Sequence, residues 1–282
     1  RAREDYAGVR RDRVERLAGC AEVRFAAPFG SAALFDLVAG AGRIDLLAQH
    51  GAHIFGYRDP AFDPIDALAR NTAGAPKLLA AASRAGAKGV LLTGSVFEAG
   101  EGGERGNPAV TPYGLSKTLT RAAFAYWAQD LGLAFAAFII PSPYGPYEEP
   151  RFGWYLFRSW FAGETPVVRT PLYLRDHVAA PQLARAYVDA ARAVLADPAP
   201  TQVFRPSGWQ ATQGEFAQKV AAEARARLNL PCALTLADQT AFDEPRLRVN
   251  AETIPTAGWD EAAFWDAYVG WYAGLHAQGR LV

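Results

Sequence analysis

The sequence predicts an α/β protein, a doubly wound parallel sheet with a smaller C-terminal lobe. Three observations carry that expectation. Strand-like and helix-like segments alternate up to about residue 146. Segments read as strands, such as "KGVLLTGS" (88–95), are apolar almost throughout, the pattern of parallel strands covered on both faces. Beyond residue 146 the alternation gives way to proline-punctuated loops and helices, which marks a change of architecture. Residues 1–146 are therefore assigned to the sheet domain. Residues 147–282 are assigned mainly to the lobe, with some segments returning to the sheet.

Element by element, "VRRDRVERLAG" (9–19) sets Val14 and Leu17 amid charge and stops at Gly19, as a short surface helix does. "AEVRFAA" (21–27) reads as a short strand and "SAALFDLVAGAG" (31–42) as a helix with a glycine stop. "IDLLAQHGAH" (44–53) reads as a buried strand running into a loop. "DPIDALARNTAGAPKLLAAASRAG" (63–86) is expected to be one long helix, opened by Asp63 as N-cap and Pro64 as first residue. The strand "KGVLLTGS" follows, then a polar glycine-rich loop to residue 110 and a helix beginning near Tyr113. "LAFAAFIIPSPYGP" (133–146) is a strand broken by prolines. In the lobe, 177–196 and 213–228 read as helices, and the aromatic run "FGWYLFRSWF" (152–161) as lobe core or pocket wall. Glu148 and Glu149, in "YEEPRF", read as a solvated loop, with contact to a substrate hydroxyl as the alternative.

Composition excludes several functions. With 29 basic and 29 acidic residues the net charge is zero, so no basic field is available for nucleic acid or an anionic membrane. The apolar runs are too short to span a bilayer, and no signal peptide opens the chain. Cys20 and Cys232 lack metal or redox spacing and read as free thiols of a cytoplasmic protein. His50 and His53 could suggest a metal, but no third ligand is evident, and none is expected. Methionine is absent where average usage gives roughly six. That reads either as an unusual Arg/Ala-rich composition or as a sequence with residues left out.

The chemistry concentrates in "TPYGLSK" (111–117). With 11 Tyr and 4 Lys in 282 residues, Tyr-x-x-x-Lys arises by chance roughly once in six such chains, so its neighbourhood must decide. In a doubly wound sheet ligands bind beyond the carboxyl ends of the strands. The strand ending in Thr93 and the helix opening at Tyr113 should both deliver their residues there. A hydroxyl, a phenol and an ammonium group then converge. The ammonium favours phenolate, the phenol exchanges a proton with a carbinol, and hydride transfer to a nicotinamide completes an oxidation.

Residues 23–190 resemble the extended short-chain dehydrogenase/reductase family, the sugar-nucleotide epimerases, dehydratases and ketoreductases built on a Rossmann-like fold. The resemblance rests on six segments in order: "IDLLAQHGAH", "NTAGAPKLLAAASRAG", "VLLTGSVFEAG", "YGLSK", "SPYGP" and "LRDHVAAPQLARAY". It implies that Tyr113 is the general acid/base, that Lys117 lowers its pKa and bonds the nicotinamide ribose, and that Thr93 bonds the reacting hydroxyl or ketone. It further implies that Gln49, Gly51, Asn71, Thr93, Tyr113, Lys117 and Ile140 contact the cofactor, NAD or NADP. Ser95, Ser142, Arg175 and Arg246 would contact a nucleotide-sugar substrate. Arg175 would hold its diphosphate, with Arg246 or Arg248 as a second clamp.

The departures from the family pattern shape further expectations. No glycine-rich dinucleotide fingerprint occurs, and the first β-α-β unit is expected upstream of Arg1. Arg1 and Arg3 would favour NADP, an arginine-rich surface loop being the alternative. The acid that follows the third strand is replaced around Ala27 and Pro28. Gln49 stands where the family often has His, and Ser142 where it often has Asn. Gly94 and Ser95 occupy the places of the dehydratase Asp-Glu pair, so a 4-epimerase or 4-ketoreductase is expected. A reductase of a non-sugar ketone and a non-catalytic binding protein are the alternatives. The family also implies a homodimer, for which Leu119, Ala122, Ala123, Tyr126 and Trp127 offer a stripe.

Overall fold

The computed structural model describes residues 2–103 and 107–282, so Arg1 lies outside the described residues. After a single exposed turn at Arg3–Asp5, helix α1 (Gly8–Ala18) buries only Val9 and docks by charge. Arg10 and Arg13 both reach the Glu149 carboxylate, at 2.9 and 3.1 Å, and Arg280 reaches Asp12. The segment 21–27 forms no strand. A strand needs a ladder, and no described strand runs beside it. Phe25 packs edge-on against Tyr6 instead.

Helix α2 (Ala32–Ala39) is capped by Ser31 and leads to β1 (Leu46–Gln49). The expected buried strand is only half covered, because β1 pairs with one neighbour and lies at the edge of the described sheet. The expected long helix is two, α3 (Pro64–Thr72) and α4 (Ala75–Arg84). Asp63 caps α3, accepting from the Ile65 and Asp66 amides, and Pro64 opens it. The break falls at Gly74, whose φ of +67° is left-handed. A Cβ there would meet the Phe35 ring at 2.6 Å, so α2 presses into the gap. Pro76, which lacks an amide hydrogen, sits in the first turn of α4, where none is needed.

Strand β2 (Gly89–Ser95) is wholly buried, helix α5 (Pro112–Asp130) crosses over it, and β3 (Ala134–Ile140) lies parallel beside β2. The short β4 (Ser142–Tyr144), helix α6 (Phe152–Phe161), β5 (Val167–Val168) and β6 (Leu174–Ala179) follow. Helix α7 (Ala180–Ala196) and β7 (Thr201–Phe204) return to the main sheet, whose strand order is β1-β2-β3-β7, all parallel. Next come β8 (Pro206–Ser207), β9 (Trp209–Thr212), helix α8 (Gln213–Arg227), β10 (Thr235–Leu236), β11 (Leu247–Arg248), β12 (Glu252–Thr253) and helix α9 (Glu261–Ala277). A second sheet runs β11-β6-β4, with β9 antiparallel to β6.

The sheet alternates its side chains between two cores. Val90 and Leu92 pack with Phe124 and Ala128 of α5, while Leu91 packs with Leu183, Ala190 and Val194 of α7. Each Val, Leu or Phe among them, fully buried, contributes roughly 1.5–3 kcal/mol. A third core joins α6, α8 and α9, with Phe157, Trp160, Phe216, Trp265, Tyr268 and Tyr272 at its centre. The aromatic run 152–161 is lobe core. Glu148 is not solvated as expected. It is half-buried against that core, where Tyr268 and Tyr272 of α9 donate to its Oε1. Cys20 is exposed and Cys232 buried, both free. Among the described residues no helix is long and apolar enough to cross a membrane.

Candidate active site

Helix α5 is brought to the carboxyl edge of β2 by a close backbone approach. Thr111 caps the helix by accepting from the Gly114 amide at 3.1 Å. A Cβ on Gly114 would lie 2.1 Å from the Phe97 carbonyl oxygen, so only glycine lets the first turn settle on the 95–98 loop. The Thr118 hydroxyl completes the joint, accepting from the Ala99 amide at 2.9 Å.

Tyr113 thereby stands at the sheet edge inside an aromatic surround. The rings of Tyr57, Phe62 and Phe97 lie 5.3, 6.5 and 6.1 Å from its own. Burial, then the nearby Glu98 carboxylate and Tyr57, push its phenol up to about 12, while Arg151 and a hydrogen bond with the Ser95 hydroxyl pull down. Lys117, one turn on, is buried and donates to the Thr93 carbonyl oxygen at 2.6 Å. Burial lowers the Lys117 pKa, and Glu98 opposes that.

The two hydroxyls face different partners. Thr93 shares the α7 side of β2 with Leu91, and its Oγ1 lies 2.7 Å from His50 Nδ1. His50 is exposed overall, but its ring stacks on Tyr187 of α7 at 4.6 Å. Burial of its inner edge lowers its pKa, as does Lys117. Ser95 lies where pairing with β3 ends and the chain turns, and its Oγ accepts from the Phe97 amide at 3.3 Å.

Among the other expected cofactor residues, Gln49 closes on the Gly51 carbonyl at 3.1 Å, and Ile140 lies opposite Ser95 in the ladder. Asn71 is occupied internally: its Oδ1 accepts from the His53 amide at 2.6 Å and its Nδ2 donates to Thr120. It fixes the loop after β1 onto α5.

A cleft of about 960 Å³ opens beside Tyr113, walled by Tyr57, Phe97, Phe152, Tyr173, Arg175 and Arg248. Arg175 of β6 and Arg248 of β11 are register partners, and both reach Glu244. Burial, then the charge of Arg248, lowers Arg175 to about 10. Arg175 spends Nη1 on the carbonyls of Leu174, Pro245 and Arg246. In Arg248, Nε and Nη1 are buried and make no hydrogen bond among the described residues. Its guanidinium covers the Phe97 ring at 3.9 Å. Arg246 does not join this wall. It is exposed, it precedes β11, and its guanidinium lies over Phe242 at 3.8 Å. Ser142 pairs opposite His177 in the second sheet. No group of three His, Cys, Asp or Glu suited to a metal occurs among the described residues.

Residues 6–203 match the sequence pattern of the NAD dependent epimerase/dehydratase family. The chain belongs to that family. No curated protein matches it in sequence. Solved structures of similar fold include the UDP-glucose 4-epimerase of the hyperthermophilic eubacterium Thermotoga maritima, solved with UDP-glucose. It is 14% identical with a TM-score of 0.66, over 96% of this chain and 97% of that one. The UDP-glucuronic acid 4-epimerase of Bacillus cereus, in complex with UDP-glucuronic acid and NAD, is 16% identical with a TM-score of 0.64, over 86% and 78%. The dTDP-glucose 4,6-dehydratase DesIV of Streptomyces venezuelae, with NAD and TYD bound, is 18% identical with a TM-score of 0.60, over 86% and 78%.

Tyr113 and Lys117 sit one helical turn apart at the sheet edge. Sequence reading weighed His50 only as a metal ligand and did not single out Tyr57, Glu98 or Tyr187. Only Glu98 left a signal, a lone acid in an otherwise apolar or small run, "TGSVFEAG".

Proposed function

We propose that the protein oxidises or reduces a carbinol of a nucleoside-diphosphate sugar, as a 4-epimerase or 4-ketoreductase. One observation carries the reading: Tyr113, Ser95, Thr93 and Lys117 gather at the carboxyl edge of β2, beside a cleft walled by two buried arginines. The donor set suits the nicotinamide end of NAD or NADP, because Lys117 has three N–H groups and the Thr93 carbonyl accounts for one. Lys117 and Tyr113 would hold the ribose, with Gln49, Gly51 and Ile140 nearby. The nicotinamide, when bound, supplies hydride exchange with the carbinol carbon.

Tyr113 gives a proton to a keto oxygen, or takes one from a hydroxyl, and Ser95 bonds the same oxygen or the phenol. Thr93, tied to His50, orients the sugar from the opposite side. Arg248 and Arg175, side by side in the cleft wall, supply positive charge for a diphosphate, and the backbone bonds of Arg175 make it a rigid backing. Dehydration of the sugar is disfavoured. A Cβ on Gly94 would lie 2.6 Å from Ile139 Cδ1 and 2.9 Å from Glu98 Oε1, leaving no room for a carboxylic acid at that position.

The full-length protein is to be incubated with nucleoside-diphosphate hexoses and with their 4-keto-6-deoxy derivatives, with and without NAD(P)H. Stoichiometric consumption of NAD(P)H by the keto-sugars identifies a reductase, and interconversion of hexoses without net redox change an epimerase. Water loss from a hexose, or turnover only of apolar ketones, overturns the proposal. The α5 stripe, with Tyr126 67% exposed, supports a homodimer. Sedimentation at micromolar concentration should give twice the chain mass, and a monomer would count against it.

A further inference from the structure

The α7 face of β2 carries a hydroxyl–imidazole pair that the roles of Tyr113 and Lys117 leave unexplained. Gln49 faces Leu92 in the parallel ladder, so His50, one residue on, comes level with Thr93 and shares its face. His50 Nδ1 lies 2.7 Å from Thr93 Oγ1, within hydrogen-bond distance. The imidazole stacks on Tyr187 of α7, ring centroids 4.6 Å apart, and Tyr187 packs edge-on against Phe138 of β3 at 4.9 Å. The Tyr187 hydroxyl is buried without a partner among the described residues, so its ring is what holds the imidazole. Thr93 is thus fixed at both ends, its carbonyl by the Lys117 ammonium at 2.6 Å and its hydroxyl by His50. His50 is otherwise exposed, which lets it exchange a proton with water.

A threonine hydroxyl has one proton to give, and a neutral imidazole has one nitrogen that accepts and one that donates. With the ring proton on Nε2, Thr93 donates to Nδ1 and has only lone pairs left for a sugar oxygen. With both ring nitrogens protonated, Nδ1 donates to Oγ1, and the hydroxyl proton is free to turn toward a keto oxygen. We infer that His50 is a positioning residue whose charge state sets the direction of the Thr93 hydroxyl. Neutral His50 makes Thr93 an acceptor for a carbinol, and protonated His50 makes it a donor to a ketone. Thr93 keeps its proton in both states and only rotates it. This rests on reading Thr93 as the group that bonds the reacting oxygen. Around the imidazole, Lys117 of α5 is the nearby charge and Tyr187 of α7 the nearby titratable group. Burial, then Lys117, lowers the His50 pKa, so the neutral form prevails at pH 7 and acidification produces the charged one.

Nitrogen-15 spectra of the histidine rings test this without any substrate. The chain has 4 histidines, and the His50 signals are identified by their absence in His50→Phe, which keeps a ring against Tyr187. Above its midpoint His50 should carry its proton on Nε2. In Thr93→Val its bare Nδ1 should shift toward the value of a free imidazole. A neutral His50 protonated on Nδ1 overturns the inference from the parent spectrum alone, because the hydroxyl could then face the same way in both charge states. An Nδ1 signal unmoved in a folded Thr93→Val overturns it as well. A pH profile of ketone reduction by the full-length protein with NAD(P)H adds the functional reading. Turnover should rise about tenfold as pH falls through the His50 midpoint, the worth of the one hydrogen bond otherwise broken to turn the proton. His50→Phe should lose that limb, and a limb that survives the substitution refutes the role. If no nucleotide sugar turns over, the proposed function falls, and the nitrogen spectra still decide the direction of the Thr93 hydroxyl.

Discussion

At the carboxyl edge of the sheet Glu98 is buried among cations, with Arg121 behind it, Lys117 alongside and a backbone amide in front. In the aromatic lobe Glu148 is half-buried among phenols, with Tyr268 and Tyr272 both donating to one oxygen. Burial raises both carboxyls, that of Glu148 to about 7. The difference lies in the partners. Phenol donors stabilise the carboxyl in the lobe without bringing a counter-charge into contact, so it remains a group that titrates near neutrality. At Glu98 the Arg121 guanidinium and the Lys117 ammonium oppose the rise that burial causes. Two glutamates drawn out of water in one chain are thus held by different partners, phenols in one region and cations in the other.

The largest effect that sharpens this contrast is on turnover. Tyr113→Phe should lower kcat by about 10²–10⁴-fold, the scale of a lost acid/base, with cofactor affinity intact. Turnover within a few-fold of the parent would detach the sheet edge from chemistry altogether. Next in size is the charge chain behind Glu98. Glu101→Gln leaves Arg121 and Arg205 without their shared carboxylate and should cost about 3 kcal/mol in denaturant unfolding, the low end for a broken buried pair because Arg205 is partly exposed.

Glu148→Gln probes the lobe, and its sign follows from a raised pKa. The carboxyl's contribution to stability is fully present below about 4.5, its unfolded value, and is lost as pH rises to about 7. The shift corresponds to about 3 kcal/mol. Melting temperatures of variant and parent should therefore converge, or cross in favour of the variant, as pH rises from 5 to 8. A constant gap would show that Glu148 does not titrate in the fold. The smallest effect is at the cleft. Arg248→Lys replaces the planar guanidinium with a point charge and should raise KM about tenfold with kcat little changed. Arg246→Ala should leave both unchanged.

Much of this was legible in the sequence, for local reasons. Asp63-Pro64 announces a helix start because cap and ring act within one turn, and "GVLLTGS" announces a covered strand by composition alone. What escaped depended on neighbours distant in sequence. The strand expected at 21–27 has no ladder beside it. The helix break carried a signal in Gly74 and Pro76, but Phe35 of another helix makes glycine necessary there. Glu148 looked solvated because nothing nearby in sequence foretells α9 closing over it. Arg246 and Arg248 differ because only Arg248 lies within β11, beside Arg175, and Thr93 and Ser95 differ by the turn at a strand end. Neither pair can be separated by residue type.

The attachment of α1 has a consequence for how the molecule comes apart. One buried apolar side chain and a set of arginine–carboxylate contacts hold it, so ions in the medium compete for the same charges. At 0.1 M salt such attractions already fade beyond roughly 10 Å, whereas apolar cores are insensitive or strengthen. Salinity thus sets which piece lets go first. The expectation is that concentrated salt releases α1 before the lobe unfolds, uncovering Tyr147 and Glu149, whereas in dilute buffer the two come apart together.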